Sequence, residues 1–248
     1  MEQRKSTRSP RRWKKPPGET PFIVKLFERH IRNWGGSSSI VQALPKNANF
    51  SYLMFSQSRV GLFETKWNIS AVYEAIPREA MNEEAAILFR KIKGLECSMT
   101  SKGLLRKTYR FKPLSILQEL QKELPEFKPS DELSELLNQD AQLIQLLNAL
   151  KPDDMTISLH SIPLEYQPFV RSLEATIKGM AEFYRNPSYI TWVVTFSRMI
   201  SRGPGVQKIA DNAMELFNHI FEIINRKMNE IQPNIVKPFP KRRKPKKD

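Results

Sequence analysis

From residue 114 onward, apolar positions recur every three or four residues, the spacing that lines one face of an α-helix. Leu114 to Leu124 forms one short predicted helix. A second starts at the cap Ser130, has Asp131 and Glu132 in its first turn, and carries a stripe of Leu133, Leu136, Leu137, Ile144, Leu147 and Leu150 until Pro152 ends it. Met155, Ile157 and Leu159 alternate and predict a short strand over Met155 to Ile162. A third helix is predicted from about Glu165 to Arg185, with Phe169, Leu173, Ile177, Met180 and Tyr184 on one face. Asn186-Pro187 breaks it, and Ser188 reads as the cap of a fourth that buries Tyr189, Trp192, Val193, Phe196 and Ile200. Gly203-Pro204-Gly205 precedes the longest, Val206 to Ile231, whose positions Ile209, Ala213, Leu216, Ile220, Ile224 and Met228 keep the 3–4 spacing. Long amphipathic helices joined by short breaks predict an antiparallel helical bundle over residues 113–232.

The pattern is mixed over residues 20–112, read as an α+β region. Thr20 and Pro21 suit a helix start, and Phe22, Leu26, Phe27, Ile31 and Trp34 fall at helical spacing before Gly35-Gly36. In residues 37–76, Phe50, Tyr52 and Met54 alternate like a strand, and Val60, Leu62 and Trp67, Ile69 suggest two more. Leu53 and Phe55 fill the other face, so a buried helix fits that stretch as well. Pro77 to Lys93 reads as a helix with Glu79, Glu83 and Glu84 early and Arg90, Lys91 and Lys93 late, the order the helix dipole favours. Leu95 to Phe111 reads as a β-hairpin turning at Ser101-Lys102-Gly103. Leu105, Lys107, Tyr109 and Phe111 share one face of its return strand; Arg106, Thr108, Arg110 and Lys112 share the other. The expected fold class is therefore mainly α (α+β), a helix-plus-hairpin region followed by a bundle. Helix then hairpin is also the order of recognition helix and wing in a winged-helix DNA-binding domain. Three glutamates near the start of that helix oppose the reading, and a solvated sheet face is its competitor.

Charge changes the picture more than composition does. The 248 residues carry a formal net charge of +14. Residues 1–17 hold seven cations and one carboxylate, and residues 237–248 hold the same, so these 29 residues account for +12. Residues 1–19 and 233–248 are polar and proline-containing, and are expected to form disordered basic tails. The near-neutral remainder is apolar enough for a core. A lone cysteine, Cys97, excludes an internal disulfide and favours a reducing compartment. One Cys with the scattered His30, His160 and His219 cannot build the usual Cys/His zinc site, and no metal or other cofactor is expected. No apolar run reaches the ~18 residues of a membrane span, and the N-terminus lacks the apolar core of a secretory signal. An intracellular protein is expected, nuclear if the host cell is eukaryotic.

Candidate binding groups follow the charge. The run Lys241, Arg242, Arg243, Lys244, Lys246 and Lys247 fits a nuclear-import address or a phosphate-binding tail. Arg4, Lys5, Arg8, Arg11, Arg12, Lys14 and Lys15 form the N-terminal counterpart, with Trp13 placed to stack on a base or to pack on the first helix. The hairpin face of Arg106, Arg110 and Lys112 is the third candidate. Catalytic residues are not expected. Asp153-Asp154 reads as a turn, His30 and His219 as structural histidines, Cys97 as an inert buried thiol, and Gly203-Pro204-Gly205 as a helix break. The expected function is a non-enzymatic nucleic-acid-associated protein, DNA or RNA, whose tails give electrostatic affinity and whose core gives protein contacts. The alternative is a protein-interaction or viral accessory or structural protein whose core docks a partner and whose C-terminal run is an import signal. Polybasic tails without an apolar anchor make a membrane surface the weaker partner.

Overall fold

A computed structural model describes residues 37–42, 50, 52–60, 64–103, 107–160, 173–201, 206–233 and 235. Seven strands make one sheet: β1 (Ser37–Gln42), β2 (Tyr52–Val60), β3 (Glu64–Ile76), β4 (Cys97–Lys102), β5 (Thr108–Pro113), β6 (Asp154–His160) and β7 (Ile190–Ser201). The spatial order is β1-β2-β3-β7-β6-β4-β5, and every neighbouring pair is antiparallel. Among the described residues, six α-helices accompany it: α1 (Glu83–Ile92), α2 (Ile116–Glu123), α3 (Glu132–Gln139), α4 (Ala141–Leu150), α5 (Leu173–Arg185) and α6 (Val206–Ile231).

The helices cover one face of the sheet. Ile69, Phe196, Met155, Met99 and Phe111 stand side by side across five strands and share a core with Leu88 of α1, Leu117 of α2, Leu137 of α3, Leu147 of α4, Ile177 of α5 and Phe217 of α6. Alternate residues of each strand point to that core, as the pleat requires. α6 lies against the sheet centre: Phe217 packs on Phe196 with ring centroids 5.5 Å apart, and Phe221 on Tyr73 at 5.6 Å. Trp192 is fully buried and donates its indole N–H to Met228 Sδ at 3.1 Å.

This architecture corrects the expected fold class. The fold is α+β, and among the described residues there is no antiparallel helical bundle. The decisive difference lies at 188–200. The apolar positions there fit a helical stripe, yet the segment is β7, paired along its length with β3. Ile190, Thr191, Val193, Val194 and Thr195 make it rich in β-branched residues, which favour a pleated surface. A central strand buried on both faces has no simple alternation, and a buried apolar run cannot be told from a helix by period alone. The winged-helix alternative fails for a related reason. The β4–β5 hairpin is the end of the sheet, with β4 paired to β6, and α1 buries Ala85, Leu88, Phe89 and Ile92 rather than standing free.

Other boundaries shift for local reasons. Asn82, whose Oδ1 accepts from Ala85 N–H at 2.8 Å, caps α1 in place of the expected start near Pro77. The expected single helix from Ser130 to Leu150 is two, because Asp140 breaks it and caps α4, accepting from Leu143 N–H at 2.7 Å. The same Oδ1 lies 2.9 Å from His219 Nε2 of α6. Burial raises the Asp140 pKa, but the Leu143 N–H and His219 outweigh it and the net shift is downward. β6 and α6 lie where the pattern placed a strand and the last helix. Tyr52–Val60 and Glu64–Ile76 are strands, which settles the ambiguity in those residues. The expected helix over 20–34 and both terminal runs lie outside the described residues.

Candidate functional site

The face of the sheet away from the helices is polar and ordered in rows. Ser70, Thr195, Thr156 and Ser98 stand in register across β3, β7, β6 and β4, and the row ends on Lys112 of β5. The next row is Asn68, Ser197, Asp154 and Thr100, ending on Arg110. Ser70 and Thr195 hydroxyls are 2.8 Å apart. A third row contains Val72, Val193 and Ser158. Solvent access changes across this face. Val72 and Val193 are only 0% and 3% exposed although they lie outside the main core, whereas Thr100, Thr108, Arg110 and Lys112 are exposed. The accessible part is therefore the β4–β5 corner together with Asp154 of β6, which is exposed in the row of Thr100 and Arg110.

Several lysines of the described residues are engaged in ion pairs. Lys66 pairs with Asp154 at 3.5 Å, Lys122 with Glu119 at 2.9 Å, Lys178 with Glu174 at 2.8 Å and Lys227 with Glu132 at 2.6 Å. Lys107 stands apart from its strand neighbours. Its ammonium contacts Asp153 Oδ1 at 2.6 Å and the carbonyls of Pro152 and Lys151 at 3.2 and 3.4 Å. Arg198 donates to the carbonyl of Leu150. Both cations thus bind carbonyls at or just beyond the C-terminus of α4, the negative end of its dipole. Lys151 takes the left-handed conformation there, at φ 51°, and Asp153 Oδ2 accepts from Met199 N–H at 2.7 Å. The expected Asp153-Asp154 turn is a stitched junction between α4, β5 and β7.

Arg110 and Lys112 differ. Both are exposed, both stand on the open face of the edge strand, and among the described residues neither has a carboxylate partner. Residues i and i+2 of a strand are roughly 6.5–7 Å apart, so two cations project side by side with the hydroxyls of Thr100 and Ser98 alongside. Exposed Lys102 sits at the tip of the same hairpin. Of the other sequence candidates, Arg106, Arg4, Lys5, Arg8, Arg11, Arg12, Trp13, Lys14, Lys15, Lys241, Arg242, Arg243, Lys244, Lys246 and Lys247 lie outside the described residues.

Two polar clusters are not legible in the sequence. At the end of β4, Lys93 and Glu96 form a buried ion pair, 2.7 Å apart, with side chains 7% and 3% exposed. The β4–β6 ladder ends at Cys97 and Ile157. The pair takes over from it: Glu96 Oε1 accepts from Leu159 N–H at 2.6 Å, and Lys93 Nζ donates to Leu159 C=O at 2.9 Å. Burial raises the Glu96 pKa, while the Lys93 charge and the Leu159 N–H oppose it. The only hint in the sequence is a Lys and a Glu three apart between a helix and a strand. Next to it, Ser158 Oγ lies 2.9 Å from His160 Nε2. Burial, and then the Lys93 charge, push the His160 imidazole down to about 3. A base that weak has little drive to take a proton from serine at neutral pH. Cys97 is buried, and burial followed by the Glu96 charge raises its thiol pKa.

Among the described residues, no group of three His, Cys, Asp or Glu could hold a metal ion, and no helix is long and apolar enough to cross a membrane. Comparisons with protein-family models, curated proteins and solved structures give no match to this chain.

Proposed function

We propose that this chain is a nucleic-acid-associated protein that meets phosphate backbones with the β4–β5 corner of its sheet, its two terminal basic runs adding salt-sensitive affinity. The observation that supports this reading is the pair Arg110 and Lys112, exposed and two residues apart on one strand face, with no carboxylate partner among the described residues. Unengaged cations release condensed counterions when they meet phosphates. Hydroxyls of the neighbouring Ser98 and Thr100 are further donors to phosphate oxygens. Few aromatic residues stand in these rows, so contact with the backbone rather than base stacking is the mode proposed.

The test is a salt titration of affinity for a random-sequence duplex and a single strand. Replacing Arg110 and Lys112 with Ala is expected to lower the duplex slope by about 0.9 for each phosphate the variant no longer neutralises, without changing sequence preference. Removing residues 1–19 and 237–248 is expected to lower it further. Unchanged slopes in both variants sink the proposal.

A further inference from the structure

Arg110 and Lys112 stand on β5, the last strand of the sheet, and a strand at an edge has a ladder on one side only. On that side β4 sets Thr100 opposite Arg110, Met99 opposite Phe111 and Ser98 opposite Lys112. On the other side, Asn138 of α3 takes hold of the residue between the two cations. Its Oδ1 accepts from Phe111 N–H at 2.8 Å, and its Nδ2 donates to Phe111 C=O at 3.0 Å. Asn138 is itself fixed. α3 buries Leu133 and Leu137, and both its ends are tied to α6: Lys227 Nζ lies 2.6 Å from Glu132 Oε2, and His219 Nε2 lies 2.9 Å from Asp140 Oδ1, just past the last turn. A ladder on one side and a carboxamide on the other set the pleat at Phe111, and with it the directions in which residues 110 and 112 leave the strand. Asp154 lies beyond Thr100 in the row of Arg110 and pairs with Lys66 at 3.5 Å.

We propose that Asn138 is a positioning residue for the Arg110–Lys112 contact, and that the fixed pair makes the β4–β5 corner select duplex over single-stranded nucleic acid. The role rests on Arg110 and Lys112 meeting phosphates, as proposed for this corner. The two ligands differ in stiffness. A duplex has a persistence length of about 50 nm, so its phosphates keep their places. It gains from cations that are already in place, because less ordering is left to do on binding. A single strand bends to the arrangement it meets and gains little from a fixed pair. Loosening the edge at Phe111 therefore costs duplex binding more than single-strand binding.

The test compares dissociation constants of the full, nuclease-treated chain for a random-sequence duplex and a single strand of equal length. Salt is held fixed, at a temperature where circular dichroism shows each variant folded. The parent is expected to favour the duplex. Asn138→Ala leaves the net charge unchanged and is expected to weaken duplex binding about fivefold, the scale of freeing one backbone residue, and single-strand binding by less than about twofold. Should that variant not fold, Asn138→Gln keeps a donor and an acceptor but displaces them by one methylene, and the same selective loss is expected at smaller size. With Arg110 and Lys112 both replaced by Ala, changing Asn138 is expected to have no further effect. No loss, equal losses for the two ligands, or a loss that persists without the two cations overturns the positioning role, since a general defect of the fold acts on both ligands alike. So does a parent with no preference for the duplex. If replacing Arg110 and Lys112 leaves both constants unchanged, the phosphate contact itself fails, an outcome distinct from the others.

Discussion

The side chain of Asn138 binds both edge-facing backbone groups of Phe111, and so stands where an eighth strand would pair. A carboxamide is suited to this because it presents one donor and one acceptor side by side, as a peptide unit does. Asn138→Ala leaves the Phe111 N–H and C=O to water or to no partner. We expect a loss of about 1–3 kcal/mol in urea unfolding. A second expected outcome is concentration-dependent self-association beyond that of the parent, read by light scattering, because the β5 edge is then open. A variant as stable and as dispersed as the parent contradicts the role given to Asn138.

The Lys93–Glu96 pair is expected to be costly to break on one side. Lys93→Met strands a buried carboxylate and removes the donor to Leu159 C=O, for an expected loss of about 3–5 kcal/mol. Glu96→Gln keeps an acceptor for Leu159 N–H, although it leaves the Lys93 charge unpaired. Replacing both with apolar residues is expected to cost less than the two single losses added together. Chemical denaturation of the three variants measures this, and strictly additive losses argue against a coupled pair.

Gly94 lies in the same junction. A Cβ there would run into the carbonyl oxygen of Lys128, a backbone atom that cannot swing aside. The Gly94 carbonyl also accepts from Ser130 N–H at 3.0 Å, which fixes that segment against the junction. Gly94→Ala is expected to lower stability by about 1–3 kcal/mol through overpacking. Gly179→Ala is the control, since its Cβ meets nothing within 4 Å. At this mid-helix site in α5 it is expected to be neutral or stabilising.

His160 makes stability depend on pH in a defined direction. Its folded pKa is pushed to about 3, below the ordinary 6.5. Between these values the unfolded chain binds the proton and the folded chain does not, so stability rises with pH there and falls as pH drops from 6.5 towards 3. The slope is at most about 1.4 kcal/mol per pH unit for this one group. Denaturant melts at pH 7, 6 and 5 are expected to show a steeper loss for the parent than for His160→Gln. The difference between the two curves isolates His160 from Glu96, whose raised pKa acts with the opposite sign. Identical pH profiles remove His160 as the cause.

What can be read from the sequence tracks how one-sided each element's burial is. α6 has a single apolar face, and its bounds are legible. The β4–β5 hairpin alternates cleanly because Arg110 and Lys112 face solvent while Phe111 faces the core, so the pattern alone puts those two candidates on the open face. β7 is buried on both sides, with Trp192, Val194 and Phe196 towards the helices and Val193 beneath the other face. The strand reaches solvent mainly at its far end, at Met199, and so offers little alternation to read. The break at Asp140 is hidden for a different reason: α3 and α4 both present leucines to the core, and the stripe runs on across a cap. Lys107, Asn138 and the Lys93–Glu96 pair are illegible because each acts on backbone groups of a segment distant in the chain or in an unexpected pairing. Nothing in local spacing reports such a partner.

The place of β7 has a consequence for how the chain reaches this state. β1, β2 and β3 form one block of the sheet and β6, β4 and β5 another, and β7 is the strand that joins them. Its partners in β3 lie more than a hundred residues earlier; Ser70, for example, faces Thr195. Closing so long a loop costs entropy before any contact offsets it, and topologies dominated by such contacts fold slowly. Until β7 docks, both blocks expose an unpaired inner edge. Synthesis must pass residue 201 before those edges can be covered by their own chain, so a nascent or truncated form is where chaperone dependence and misassembly will concentrate.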